Sequence, residues 1–156
     1  MKLAKAAIES SRLESRIVRQ IVIDTNALVA GLRSKREASY QILRLIGDAR
    51  RRPNVSVALA LEYEDVLKRE NMLPGVSAAD VDTFLDYILA ASNLVGDVMR
   101  RRPTLRDPDD ERILELAVRC DAMIITHNLS DFSGAQEFGV VVCAPSAFLQ
   151  LLREDQ

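Results

Sequence analysis

Ile21, Val22 and Ile23 are three β-branched apolar residues in a row, and they run straight into Asp24, Thr25 and Asn26. A short apolar run without polar alternation is a strand covered on both faces, the condition of a strand inside a parallel sheet. It stops at three residues that form strands poorly and readily bond nearby backbone at a helix start. Ala27-Leu28-Val29-Ala30 follows and can open a helix. A buried strand therefore gives way to a helix at an acid. In open α/β sheets, ligands sit in the crevice outside the carboxyl ends of the strands. Asp24 has two readings at this point, helix cap or member of a site. What separates them is whether other acids reach the same edge.

The rest of the chain repeats this alternation. The first strand covers about residues 19–24, and the helical stretch after it breaks at Arg33-Ser34-Lys35-Arg36-Glu37. A second helix is predicted over 38–49 with Ile42, Leu43, Leu45 and Ile46 on one face, ended by the basic run and Pro53. Val55-Ser56-Val57 reads as a strand, and 58–69 as a helix with Leu59, Val66 and Leu67 inward. After Leu73-Pro74-Gly75, Ser77 caps a helix with Asp80 three residues later, a capping-box pattern with Asp in place of Glu. Val81, Phe84, Leu85, Ile88 and Leu89 give that helix its apolar stripe. A third strand is weakly signalled over 94–99. Asp107 is then an N-cap and Pro108 a first helical residue, with Ile113, Leu114 and Ala117 toward the core. Strands at 123–126 and 139–143 follow, and Pro145 starts a last helix through Leu152. The pattern predicts a three-layer α/β/α fold around a central, mostly parallel sheet of about five strands.

At 156 residues the chain is long enough for one domain with a substantial core. Residues 1–18 form a loosely patterned arm or helix, and 19–156 the domain. No apolar run approaches the roughly 18 residues of a membrane span, and the N-terminus lacks a signal-like apolar core. Cys120 and Cys143 are too few and too embedded in apolar sequence for a disulfide framework. They read as buried reduced thiols, which predicts a cytoplasmic protein. His127 is the sole histidine, so zinc-type spacing is absent. A net charge of −2 excludes a globally basic nucleic-acid binder, so any phosphate contact must come from local clusters. The candidates are Arg33, Lys35 and Arg36, then Arg50–Arg52 and Arg100–Arg102; as solvated turns they would do nothing more.

Four acids meet the criterion set by Asp24. Asp24 ends strand one, Glu62 lies in the first turns of the helix after strand two, Asp110 opens the helix after strand three, and Asp131 lies in the loop after strand four. In a right-handed parallel α/β fold every strand-to-helix junction is on one edge of the sheet, so all four point there. Like charges about 4 Å apart repel by roughly 4 kcal/mol at an effective dielectric near 20. A divalent cation relieves such a cluster, and oxygen-only donors favour Mg²⁺ or Mn²⁺. Two such ions can activate water and stabilise the leaving oxygen of a phosphodiester. Each acid also has a bland reading: solvated face for Glu62, helix dipole for Asp110, cap for Asp107, turn for Asp131. His127 reads as a polar loop residue.

On these residues the chain resembles the PIN-domain nucleases, particularly the VapC-like toxin ribonucleases of bacterial and archaeal toxin–antitoxin modules. The resemblance covers about residues 19–152. It rests on Ile21-Val22-Ile23-Asp24-Thr25-Asn26, on Glu62 in Leu61–Leu67, and on Asp110 in Asp110–Ala117. Ile124–Phe132, with Thr126 at the strand end and Asp131-Phe132 closing, and Pro145–Leu149 complete it. Many members carry an acid where this chain has Asn128, which leaves the fourth acidic role to Asp131 alone. The resemblance implies a divalent-metal-dependent endoribonuclease using one or two Mg²⁺ or Mn²⁺ ions. Asp24 and Asp110 would be core ligands, Glu62 would complete the set or orient the water, and Asp131 would hold a second ion. Asn26, Thr126, Asn128 and Asp107 would support them. Arg33, Lys35 and Arg36, or the arginine runs, would meet RNA phosphates. The same resemblance implies a homodimer and a small antitoxin partner that blocks the cleft; the lack of a long apolar run predicts no membrane association. Two other classes compete: a non-catalytic PIN-like binding module, and an aspartyl phosphatase. The latter needs an Asp where Asn26 stands.

Overall fold

The structure, a computed structural model, describes residues 18–48, 50–96 and 105–155. Five strands form one sheet in the order β3-β2-β1-β4-β5: β1 (Arg19–Ile23), β2 (Arg51–Ser56), β3 (Asn93–Val95), β4 (Met123–Ile125) and β5 (Val142–Cys143). Every adjacent pair is parallel. Six α-helices connect them among the described residues: α1 (Thr25–Arg33), α2 (Ala38–Arg44), α3 (Val57–Leu67), α4 (Ala78–Ala90), α5 (Pro108–Cys120) and α6 (Pro145–Glu154).

The β-branched run takes the centre of the sheet. Ile21, Val22 and Ile23 are all buried, and because successive strand residues point to opposite faces, both faces are covered. Leu114, Leu116, Ile124, Ile125 and Phe148 complete the tightest part of the core. Helix α5 lies against β1, β2 and β4, while α2 packs on α6. The expected three-layer α/β/α arrangement around a parallel sheet is what forms.

The strand order sets where a site can be. From β1 the chain moves outward to β2 and β3, then returns across to β4 and β5 on the other side of β1. The connections therefore leave β1 and β4 in opposite directions, and a crevice opens outside their adjacent carboxyl ends. Asp24 follows β1 and Thr126 follows β4, so the two flank that crevice.

Local signals place the helices. Ser77 and Asp80 close both hydrogen bonds of the capping box on α4. The Asp107 carboxylate accepts from the backbone of Asp109 at 2.8 Å, and Pro108 occupies the first turn of α5, whose buried positions include Ile113, Leu114 and Ala117.

Several boundaries differ from the sequence reading. Helix α2 stops at Arg44, and β2 begins at Arg51, so the basic run and Pro53 belong to a strand. Pro53 stands opposite Ile21 of β1, but β3 pairs only with Asn54–Ser56, so Pro53 lies where β2 has a neighbour on one side alone, a place strands tolerate proline. The fifth strand is confined to Val142–Cys143, after Gly139 turns with φ 73°. The third comprises Asn93–Val95, at the sheet edge. Cys120 and Cys143 are free but half-buried rather than buried, and Val66 is half-buried as well. Residues 1–17 and Arg100–Arg102 lie outside the described residues. Among the described residues, no helix is long and apolar enough to cross a membrane.

Candidate active site

Asp24 is the most enclosed acid of the site, with 6% of its surface exposed. Although it occupies the N-cap position of α1, its side chain makes no capping hydrogen bond. Its Oδ2 instead accepts from the Thr126 hydroxyl at 2.7 Å and from the Asn26 amide at 2.9 Å. Its backbone N–H donates to Ile125 at 2.9 Å, which ties the β1 and β4 ends together. The cap reading of Asp24 therefore fails and that of Asp107 holds. Burial raises the pKa of Asp24; the Thr126 hydroxyl pulls it back, and the nearby Asp131 charge pushes it up again.

Asn26 and Thr126 form the floor. The Asn26 carbonyl oxygen accepts from the backbone of His127 at 3.1 Å, and its amide lies 3.3 Å from the Thr126 hydroxyl. The Thr126 hydroxyl accepts from the backbone of Asn128 at 3.0 Å. Thr126 is wholly buried, so this hydroxyl is a fixed link between the β4 end, Asn26 and Asp24. Asn128 joins through its backbone, with its side chain on an exposed loop.

The other acids approach from α3, α5 and the loop after β4. Glu62 is half-buried and takes a short hydrogen bond from the Thr25 hydroxyl; its pKa is raised, by burial first and then by Asp109, Asp24 and Asp107. Asp110 is the most perturbed of the group. Burial, then the charges of Asp24, Asp107, Asp131 and Glu62, push its carboxyl up to about 7. Asp131 is exposed, in a short 3₁₀ turn over Leu129–Phe132. Asp24, Glu62 and Asp131 are thus all close enough to Asp110 for their charges to raise the cost of ionising it. None of the ion pairs among the described residues involves Asp24, Glu62, Asp110 or Asp131.

Such a set fits a hard divalent cation in donor chemistry: carboxylate oxygens, mutually repelling, with no paired arginine or lysine. The arrangement is nonetheless open. Among the described residues, no three His, Cys, Asp or Glu side chains are gathered tightly enough to hold an ion.

Three further residues support the site. Thr25 holds Glu62. Tyr63, fully buried, donates a short hydrogen bond to the Ile23 carbonyl at the end of β1. Ser39, at the start of α2, lies 3.1 Å from the exposed His127 ring through its hydroxyl. Thr25 stood inside the opening motif, and Tyr63 beside Glu62, but nothing in their spacing showed that they bond across elements.

The basic clusters separate. Arg33 is exposed at the end of α1, and Lys35 and Arg36 are exposed in the turn between α1 and α2. Arg36 is three residues from Ser39, whose hydroxyl meets His127, hence at most about 11 Å from it along the chain. Arg50, Arg51 and Arg52 sit at the opposite end of β2, and Arg51 is buried against Asp48. A parallel strand of six residues thus carries this run to the edge of the sheet opposite the carboxylates.

The sequence matches the PIN-domain family over residues 20–130, which include the strand ending at Asp24, Glu62, Asp110 and Thr126. The chain belongs to the PIN-domain family. Among solved structures it is similar to a chain of the VapBC2 complex from Rickettsia felis, determined bound to a DNA fragment from its promoter. The identity is 14% and the TM-score 0.56, over 80% of this chain and 98% of the other, a likeness of fold. No curated protein matches the chain.

Proposed function

We propose that this PIN-domain protein is a divalent-metal-dependent endoribonuclease, the toxin of a toxin–antitoxin pair. The observation that carries the reading is the convergence of Asp24, Glu62, Asp110 and Asp131 on one edge, with Asp110 held up to about 7 and no cation among the described residues paired to any of them. Asp24 and Asp110 would be the principal ligands, with Glu62 and Asp131 on either side. Bound Mg²⁺ or Mn²⁺, one ion or two, would supply a polarised phosphoryl oxygen and a more acidic water. The chain's own residues do the rest. Thr126 and Asn26 hold the Asp24 carboxylate in one orientation, and Thr25 turns Glu62 toward the same space. Glu62 can accept a proton from an attacking water, because its raised pKa makes it a better base than an ordinary carboxylate. Asp107, by capping α5, fixes the turn that presents Asp110. Arg33, Lys35 and Arg36, exposed at the end of α1 and in the turn after it, would meet the phosphates that flank the scissile bond.

A small antitoxin that covers the carboxylate edge, a homodimer and a cytoplasmic setting belong to the same proposal. The fold likeness to a chain of a VapBC2 complex supports the antitoxin. The open spacing of the acids favours one alternative, a PIN-like module that binds nucleic acid or protein without cutting.

Cleavage of a mixed RNA pool, structured and single-stranded, tests the reading in Mg²⁺, Mn²⁺ or EDTA. Cutting should need the metal and vanish in a folded Asp24→Asn variant. Undiminished cutting by that variant would disprove the site, and an inert wild type that binds no metal would favour the non-catalytic module.

A further inference from the structure

An open cleft of about 680 Å³ lies at the far edge of the molecule, between α2, the start of β2 and α6. Arg44, Arg50, Arg51 and Arg153 line it, with Asp48 as the one acid among its lining residues and Gln41, Leu45, Leu149 and Leu152 as the remainder. Arg51 begins β2 and Ser56 ends it, so the cleft is removed from the carboxylate edge by about 17 Å of strand.

The arginines are unevenly satisfied. Asp48 accepts from Arg50 at 3.1 Å and from Arg51 at 2.9 Å, and the two hold its carboxyl down to about 2. Asp155, the other acid near Arg51, is bound to Arg19 at 2.7 Å. Arg44 and Arg153 are exposed and have no ion pair among the described residues. Arg51 is 94% buried, and its Nε lacks any hydrogen-bond partner. A buried guanidinium N–H without an acceptor is costly, so the Asp48 bond only partly satisfies Arg51. Four guanidiniums against one carboxylate leave a surplus of three positive charges. A phosphate monoester carries about −1.5 to −2 charge near neutral pH and three acceptor oxygens, a closer match than a single carboxylate. Guanidinium forks suit such oxyanions.

We propose that this cleft is an oxyanion site for a phosphate group, either of a small phosphorylated molecule or of an RNA strand. It stands apart from the carboxylate edge and does not depend on that edge being catalytic. Calorimetric titration with inorganic phosphate tests it, using Arg44→Gln and the Arg44→Gln/Arg153→Gln pair, both exposed positions whose loss leaves the core intact. Saturable binding at one site is expected, weakened roughly tenfold by each arginine removed and unchanged by Asp110→Asn. Titration with a nucleoside monophosphate and with an oligoribonucleotide in EDTA separates the two sources. Tighter binding of the oligonucleotide, lost in the double variant, assigns the site to a strand. Equal binding of the monophosphate and phosphate, with oligonucleotide affinity indifferent to the arginines, assigns it to a small molecule. The proposal is overturned if phosphate fails to saturate, or if the double variant binds it as well as the wild type. It also fails if the variant changes self-association and leaves phosphate affinity alone, which would make the cleft an interface between copies.

Discussion

Replacing Thr126 by Val removes one oxygen at the point where β4 meets the carboxylate edge. The Thr126 side chain is wholly buried and donates at 2.7 Å to a carboxylate that is itself 6% exposed. A hydrogen bond to a charged group contributes about 1.5–3 kcal/mol net, and stranding a buried partner costs the larger share of that. The same hydroxyl accepts from the backbone of Asn128 at 3.0 Å, so a second group also loses its partner. Valine fills the same volume, so the cavity contribution is small. The expected loss is about 2 kcal/mol, or roughly 4–8 °C for a chain of this size. Thr126→Ser, which keeps the hydroxyl and drops a methyl, should cost about 1 kcal/mol. Urea unfolding at pH 7.5 in EDTA measures both. A cycle with Asp24→Ala isolates the pair and should return a coupling of about 1–2 kcal/mol. Were Thr126→Val to lie within about 0.5 kcal/mol of wild type, or to add to Asp24→Ala without coupling, the claim that this hydroxyl holds the central acid would be wrong.

Tyr63→Phe should lower stability by about 1–2 kcal/mol, since it deprives the buried Ile23 carbonyl of its donor; chemical denaturation reads this directly. Gly31→Ala should cost about 1–3 kcal/mol, because its Cβ would meet Leu43 Cδ1 at 2.7 Å and the backbone of Ser39 at 3.0 Å where α1 crosses α2; thermal melting shows it, and an unchanged midpoint would mean the crossing yields freely. The pH response follows from Asp110. Its folded pKa of about 7 lies above the ordinary aspartate value of 3.8, so the folded state binds more protons between them and stability in EDTA should fall as pH rises across that window. Asp110→Asn should flatten the fall in urea midpoints measured from pH 4 to 8, and a fall equally steep in the variant would remove Asp110 as its source.

Much of the fold was legible because the signals were local. Ile21–Ile23 announced a doubly covered strand, Ser77 with Asp80 and Asp107 with Pro108 announced helix starts, and the sheet follows from their alternation. The reading failed where tertiary pairing overrides local preference. Arg51, Arg52 and Pro53 look like a break, but β1 offers a ladder on one side and Asp48 neutralises Arg51, so a strand forms there. Of the site, the acids could be seen, since strand ends in a parallel sheet share an edge. Their orientation could not. That Thr126 bonds Asp24 depends on β4 lying beside β1, a neighbour relation set by the strand order and absent from any spacing along the chain. The division of the arginines between two edges was hidden for the same reason.

The central claim is that the facing carboxylates take a divalent cation. Mn²⁺ titration in the absence of RNA, at pH 8 where Asp110 is ionised, tests it most directly, with wild type beside Asp24→Asn and Asp110→Asn. Stoichiometric binding by the wild type is expected, weakening as pH falls through about 7 and lost in both variants. Mn²⁺ bound no more tightly by the wild type than by the two variants would contradict it.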